Sequence, residues 1–236
     1  MADNLIAAIT AENAGIVLNY GTANQAVVKG LNKLGLPVGS RSSISLSQFQ
    51  VSYATEVAGE GKLSHITGSG YLIKGDRLGQ SALKKAMHKK TKLDETTRIY
   101  LDMEAEDFVT LDKATDKNGF FQVIKAGSDT ATEKNNVFPF DLEMICGGQP
   151  AYFFYHLTAS TIAFVATGNK ITDTGNGFVT AGFEAGDTLI VEGSTNNDGQ
   201  YLITSVEAGT LTLDSGVKVV VDKPVGVSIT LHSGTL

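Results

Sequence analysis

The residues of this chain with chemistry to offer are four histidines, a single cysteine, a block of lysines and a block of acids. His65, His88, His156 and His232 stand far apart in sequence. None has a second ligand at the short spacing that zinc sites use. Cys146 has no second thiol to pair with, and its alternating apolar surroundings make it a buried, inert side chain. Glu104 and Glu106 are the acids a glycosidase would need. The chain has no tryptophan and no recognisable sugar cleft to go with them. GEGKLS, 59–64, contains a Gly-Lys pair but not the GxxxxGK[ST] frame of a phosphate loop. STNNDG, 194–199, has one carboxylate and no bidentate glutamate at the right offset, so it reads as a hairpin turn rather than a calcium loop. The expectation is a protein that is not an enzyme, with no cofactor and no metal.

The lysine run KKAMHKKTK, 84–92, lacks the arginines and aromatic side chains of a nucleic-acid patch. An acidic stretch follows directly: Asp94, Glu95, Asp102, Glu104, Glu106, Asp107 and Asp112. The lysine run reads as a solvated helix end; the alternative is a charged subunit contact, because opposite blocks on one chain suit self-association around a ring. Lys84, Lys85, Lys89 and Lys90 of one copy would then meet the acids of the next.

These side chains must be held by a turn-rich β framework. Of 236 residues, 26 are glycine and only 4 proline, which favours tight turns between strands over disorder. Hydrophobic residues make up 42%, enough for a core. No basic segment precedes the short apolar run of MADNLIAAIT, so no signal peptide is expected. No apolar stretch is long enough to span a bilayer, so no membrane is expected either. With one cysteine, these features point to folding in a reducing cytoplasm. The net charge is −6, and residues 166–236 hold eight acids against three lysines. Such a segment is unsuited to gripping phosphate.

Along the chain, residues 1–40 read as an extended arm with one short strand. SISLSQFQVSY, 43–53, alternates but slips phase, which predicts a strand with a bulge near Gln48. Residues 54–66 are rich in small residues and read as a long mobile loop. The spacing of Leu83, Ala86 and Met87 predicts a helix over 76–90, with Asp76 or Gln80 near its cap and cations at its C-terminal end. Strands follow over TRIYLDM and DFVTLD, the latter leading through a hairpin turn at Lys117-Asn118-Gly119 into FFQVIKA. On strand alternation, Asp102, Glu104 and Glu106 would share one face. VFPFDLEMIC alternates with Phe138, Phe140, Leu142, Met144 and Cys146 on one side. AYFFYHL is a further strand. A boundary near 165 separates a small all-β module, 166–236. In it, turns at Asn197-Asp198-Gly199 and Glu207-Ala208-Gly209 flank Tyr201–Val206, and Val225, Val227, Ile229 and Leu231 mark a final half-buried strand.

SLSQFQVSYATEVAGEGKLSHITGSGYLIKGDRLGQSALKKAM resembles the major tail tube proteins of long-tailed bacteriophages. The shared pattern is a strand, a long loop, a second strand, and a helix opening near the Gly79-Gln80 pair. FFQVIKAGSDTATEKNNVFPFDLEMICGGQPAYF resembles that family's closing strands, so the similarity covers about residues 40–155. The segment GNKITDTGNGFVTAGFEAGDTLIVEGSTNNDGQYLITSVEAGTLTL resembles a small β-module carried by phage structural proteins.

The resemblance implies a β-sandwich with one flanking helix over 1–165, and an exterior decoration at 166–236. It implies six copies in a ring, with rings stacked into a tube in the virion tail that is assembled in the host cytoplasm. Partners would be further copies and the tape measure, tail terminator and distal tail proteins. Genome DNA would pass through without specific binding. On that reading Glu56, Glu60 and Lys62 make contacts between rings. Asp102, Glu104, Glu106 and Asp107 face the lumen or a subunit seam, and residues 1–165 assemble without the decoration. Two alternatives stay open. One is a phage or cell-surface β-protein that recognises a glycan or receptor; it would need exposed aromatics, and residues 166–236 offer only Phe178, Phe183 and Tyr201. The other is a different virion component, such as a tail terminator or head decoration protein.

Overall fold

Period-two alternation is the dominant local signal, and antiparallel strands follow it. The computed structural model describes residues 13–36, 39–46, 55–63, 65–128, 137–222 and 227–235. In chain order the elements are β1 (Gly15–Leu18), β2 (Ala26–Val27), β3 (Leu31–Gly35), β4 (Gly39–Leu46), β5 (Thr55–Leu63), β6 (Ile66–Tyr71), α1 (Gln80–Lys89), β7 (Lys92–Leu93), β8 (Arg98–Asp102) and β9 (Asp107–Leu111). They continue with β10 (Phe121–Gly127), β11 (Pro139–Cys146), β12 (Pro150–Ala159), β13 (Ile162–Val165), β14 (Lys170–Asp173), β15 (Thr188–Glu192), β16 (Gly199–Glu207), β17 (Thr210–Leu213) and β18 (Ile229–Thr235). The protein is mainly β, with one short helix among the described residues.

The chain forms two compact units. One comprises the described residues of Lys29–Lys92 and Phe121–Cys146. It holds most of a five-stranded sheet in the order β3-β6-β11-β10-β7. β11 carries the alternation the sequence announces: Phe140, Leu142, Met144 and Cys146 are buried, and the residues between them are half-buried. Phe138, expected on the same face, precedes the strand and is exposed. α1 lies against β10 and buries Leu83 and Ala86. It starts at Gln80, not at 76, because Asp76 caps it from the preceding turn. The Asp76 carboxylate accepts the backbone N–H groups of Gly79 at 3.1 Å and Gln80 at 2.9 Å. These are among the donors a helix start leaves unpaired. A Cβ on Gly79 would stand 2.3 Å from an Asp76 oxygen, so the cap requires glycine there.

The second unit comprises the described residues of Met1–Val28, Leu93–Phe120 and Gly147–Leu236. Its strands form an eleven-stranded sheet in the order β13-β14-β17-β16-β15-β18-β12-β9-β8-β1-β2. Two apolar clusters back it. Ile162, Phe164, Ile171, Phe178, Leu189, Ile203 and Leu211 belong to the first, and Val17, Tyr100, Phe108, Ala151, Phe153 and Ile190 to the second. The first cluster draws mostly on the C-terminal segment, joined by Ile162 and Phe164. The strands of that segment nevertheless continue the sheet of the N-terminal strands. The last strand, β18, pairs with β12 on one side and β15 on the other. The compact units are therefore not drawn at residue 165.

Several expectations need correction. Residues 15–35 are not an extended arm but contain β1, β2 and β3, with β1 fully buried. Most of 54–66, read as a loop, is strand β5, paired with β4 from Leu46↔Thr55 to Gly39↔Leu63. The small residues that suggested a loop leave backbone pairing intact. The bulge near Gln48 and Val225 fall outside the described residues. The Lys117-Asn118-Gly119 turn exists, but it does not close a hairpin: β9 pairs with β8 and β12, whereas β10 pairs with β11. Met103–Glu106 are a turn rather than strand, so alternation does not place Asp102, Glu104 and Glu106 on one face.

Candidate assembly surfaces

The lysines expected at a subunit contact sit on α1. Lys85, Lys89 and Lys90 are exposed; Lys84 is half-buried, its Nζ 5.9 Å from the centre of the Phe140 ring. Lys85 and Lys89 are one helical repeat apart and share a side of the helix. Lys90 closes the helix in the left-handed region, at φ 53°, with its N–H on the Met87 carbonyl. The result is a cationic helix end.

The expected acids are gathered by the turn between β8 and β9, where Asp102 pairs with Asp107. The Asp102 carboxylate accepts the N–H groups of Glu104 at 2.9 Å and Ala105 at 3.3 Å. Those bonds hold its carboxyl below the usual range. Burial pushes Asp107 the other way; the nearby Asp102 charge adds to the rise and His156 opposes it. Glu106 takes φ 59°, an uncommon conformation for a non-glycine residue. Glu104 and Glu106 are exposed. Four carboxylates thus crowd one hairpin tip.

Glu56, Glu60 and Lys62 lie on β5, which among the described residues forms a two-stranded sheet with β4. Glu56 is opposite Ser45 and Lys62 opposite Ser40. Glu60 falls where the register shifts, between the pairs Arg41↔Gly61 and Ser43↔Ala58. The strand β5 therefore holds all three inter-ring candidates on one ribbon.

A buried ionic cluster went unseen in the sequence. Arg98 on β8 is almost fully buried, with its guanidinium carbon 3.6 Å from the centre of the Tyr20 ring and 4.2 Å from that of Phe108. It pairs with Glu192 at the end of β15. The Tyr20 hydroxyl donates to the same carboxylate at 3.4 Å, and His232 Nε2 lies 3.4 Å from it. Burial would raise the Glu192 carboxyl, but the His232 hydrogen bond and the Arg98 charge outweigh it and hold the group below its ordinary value. Burial, with the Glu192 charge, pushes the Tyr20 hydroxyl up to about 12. A cleft of about 470 Å³ opens beside the cluster, lined by Tyr20, Gln25, Glu95, Glu192, Asp198 and Gln200 among others. The available signal was Arg98 itself: an arginine in the apolar strand TRIYLDM must find a buried acid, since an unpaired buried charge is costly.

The fold also brings His156 opposite His232 across the β12–β18 pair, with ring centres 6.0 Å apart. No group of metal-ligating side chains occurs among the described residues. Phe178, Phe183 and Tyr201, the only aromatics of 166–236, are all buried in the core and form no sugar platform. No described helix is long and apolar enough to cross a membrane.

No known family's sequence profile matches the chain, and neither does any curated protein. Among solved structures, the chain is similar to a component of a native gene transfer agent virion. The identity is 14%, over 61% of this chain and 98% of that one, with a TM-score of 0.44. It is similar to a component of an anti-feeding prophage baseplate at 6% identity, over 61% of this chain and 95% of that one, with a TM-score of 0.40. The SPP1 Dit protein, described as a hub adsorption apparatus of phages infecting Gram-positive hosts, is similar at 11% identity over 94% and 99%, with a TM-score of 0.33.

Proposed function

We propose that the chain is a non-enzymatic structural protein of a phage-type tail, and that it self-assembles into hexameric rings stacked as a tail tube for DNA passage. The observation that carries this reading is the β4–β5 ribbon. Its strands run for eight and nine residues yet, among the described residues, form a sheet of two. A two-stranded ribbon on its own is marginal in water, and edge strands in general present unpaired N–H and C=O groups. Pairing with a neighbouring copy would satisfy both deficits at once.

The resemblance of residues 40–155 to major tail tube proteins points the same way. The acidic turn at 102–107 then lies at the lumen, where carboxylates would keep phosphate from sticking, or at a subunit seam. The segment 166–236 decorates the exterior. Tape measure, tail terminator and distal tail proteins would be its partners in the virion tail.

Hydrogen exchange across 39–46 and 55–63, before and after concentration-driven association, tests the reading. The expected result is slow exchange of these amides only in the associated state. Equal exchange in both states would remove the ribbon from assembly.

A further inference from the structure

The unit that contains the five-stranded sheet carries an apolar area that no proposed contact uses. Tyr71, Leu72, Ile73, Leu78, Val137 and Phe138 are all substantially exposed, Val137 by 66% and Phe138 by 64%. Tyr71 and Leu72 are brought beside Val137 and Phe138 by the β6–β11 ladder. Tyr71 pairs with Pro139 at the end of the β6–β11 ladder, and the Leu72 N–H donates to the Phe138 carbonyl at 2.8 Å. Leu78 stands in the turn just before α1.

This area is rigidly supported. Gln80, fully buried, accepts the Ile73 N–H at 3.0 Å and donates to the carbonyls of Tyr71 at 2.7 Å and Lys29 at 2.8 Å. Asp76 caps the helix from inside the same turn. The apolar side chains are thus presented on a pinned backbone. Contiguous exposed apolar patches with a polar rim mark interaction sites.

The rim is cationic. Lys74 and Arg77, both exposed, lie within the 71–78 segment itself. The exposed acids Glu104 and Glu106 of the β8–β9 turn supply the opposite sign on the same chain. We infer that the Leu72–Phe138 face docks a second copy of this chain, with Lys74 and Arg77 set against that copy's acidic turn. The inference rests on the self-assembly reading and chooses the seam over the lumen for the acids. Apolar contact supplies affinity, while the charges set register and reject wrong partners.

The test uses the full chain, with association measured by analytical ultracentrifugation and particle shape by electron microscopy. Val137→Ser with Phe138→Ser should weaken association at least about tenfold while the circular dichroism spectrum is unchanged. Lys74→Glu with Arg77→Glu should do the same, as should Glu104→Lys with Glu106→Lys. Combining the two charge reversals should restore association. Unaltered association in all the double variants, or no restoration in the combined one, overturns the inference. If rings persist in every variant, the docking face is wrong and the ring reading stands. If the unaltered chain forms only a dimer, and the Val137/Phe138 variant loses it, the face is right and the ring reading falls. Monomers at every concentration sink both. Binding of a duplex DNA oligonucleotide that depends on Lys74 and Arg77 would reassign the face to a polyanion.

Discussion

The Gln80 side-chain amide donates to the Tyr71 carbonyl at 2.7 Å, joining the first residue of α1 to the last residue of β6. The Gly79-Gln80 pair is therefore a clasp. Gln80→Ala would remove three part-buried hydrogen bonds, to the carbonyls of Lys29 and Tyr71 and from the N–H of Ile73. A cost of about 1–2 kcal/mol is expected in chemical denaturation. Gln80→Glu should cost at least as much, because a carboxylate keeps the acceptor and loses the donor.

Gly70→Ala tests the packing beneath that clasp. An added Cβ would meet the Gly30 carbonyl oxygen at 1.8 Å, and that neighbour is backbone rather than a yielding side-chain tip. Gly30 is itself held at φ +79°, with the Tyr71 oxygen 2.5 Å from its own hypothetical Cβ. The variant should lose about 2 kcal/mol or more, read as a lowered thermal midpoint.

Acid should weaken the fold through Glu192 and Asp173. Burial works against both charges. At Glu192 the His232 and Arg98 interactions prevail; at Asp173 the Thr161 hydroxyl and the N–H groups of Gly175 and Gly177 do. A carboxyl whose folded pKa is depressed contributes stability above its unfolded value and loses it as pH falls through the folded one. Stability should hold near neutrality and decline below about pH 4.5. Denaturation midpoints measured across pH should show that decline, and Glu192→Gln should flatten it.

Glu192→Leu at neutral pH leaves Arg98 charged and buried, at an expected cost of about 3–5 kcal/mol. Arg98→Met in the same chain removes that charge. The double variant should be more stable than the Glu192→Leu single, with coupling measured by a double-mutant cycle.

Cutting the chain after residue 165 removes β18, one of the two partners of β12, and leaves only β9 beside it. An open edge would then run beside Phe108 and Phe153, an arrangement that favours aggregation. The truncated chain should be less soluble and melt earlier than the full one. A soluble truncation with an unchanged midpoint would show that β12 does not depend on 166–236.

Local patterns were legible where burial alternates. β11 shows it in Phe140, Leu142, Met144 and Cys146, and the β16–β17 hairpin turns at Glu207-Ala208-Gly209 as its residue types demand. β5 was hidden because TEVAGEGKL lacks alternating apolar residues, so only backbone pairing marks it as strand. The acidic turn was misjudged because Asp102 bonds its own following backbone and ends the strand. The Arg98–Glu192–His232 cluster joins residues far apart in sequence, and no local spacing announces it.

Electron microscopy of the purified full chain at rising concentration decides whether the protein builds a tube. Six-fold rings that stack into tubes are the expected result. Uniform particles of single-chain mass at every concentration would contradict it.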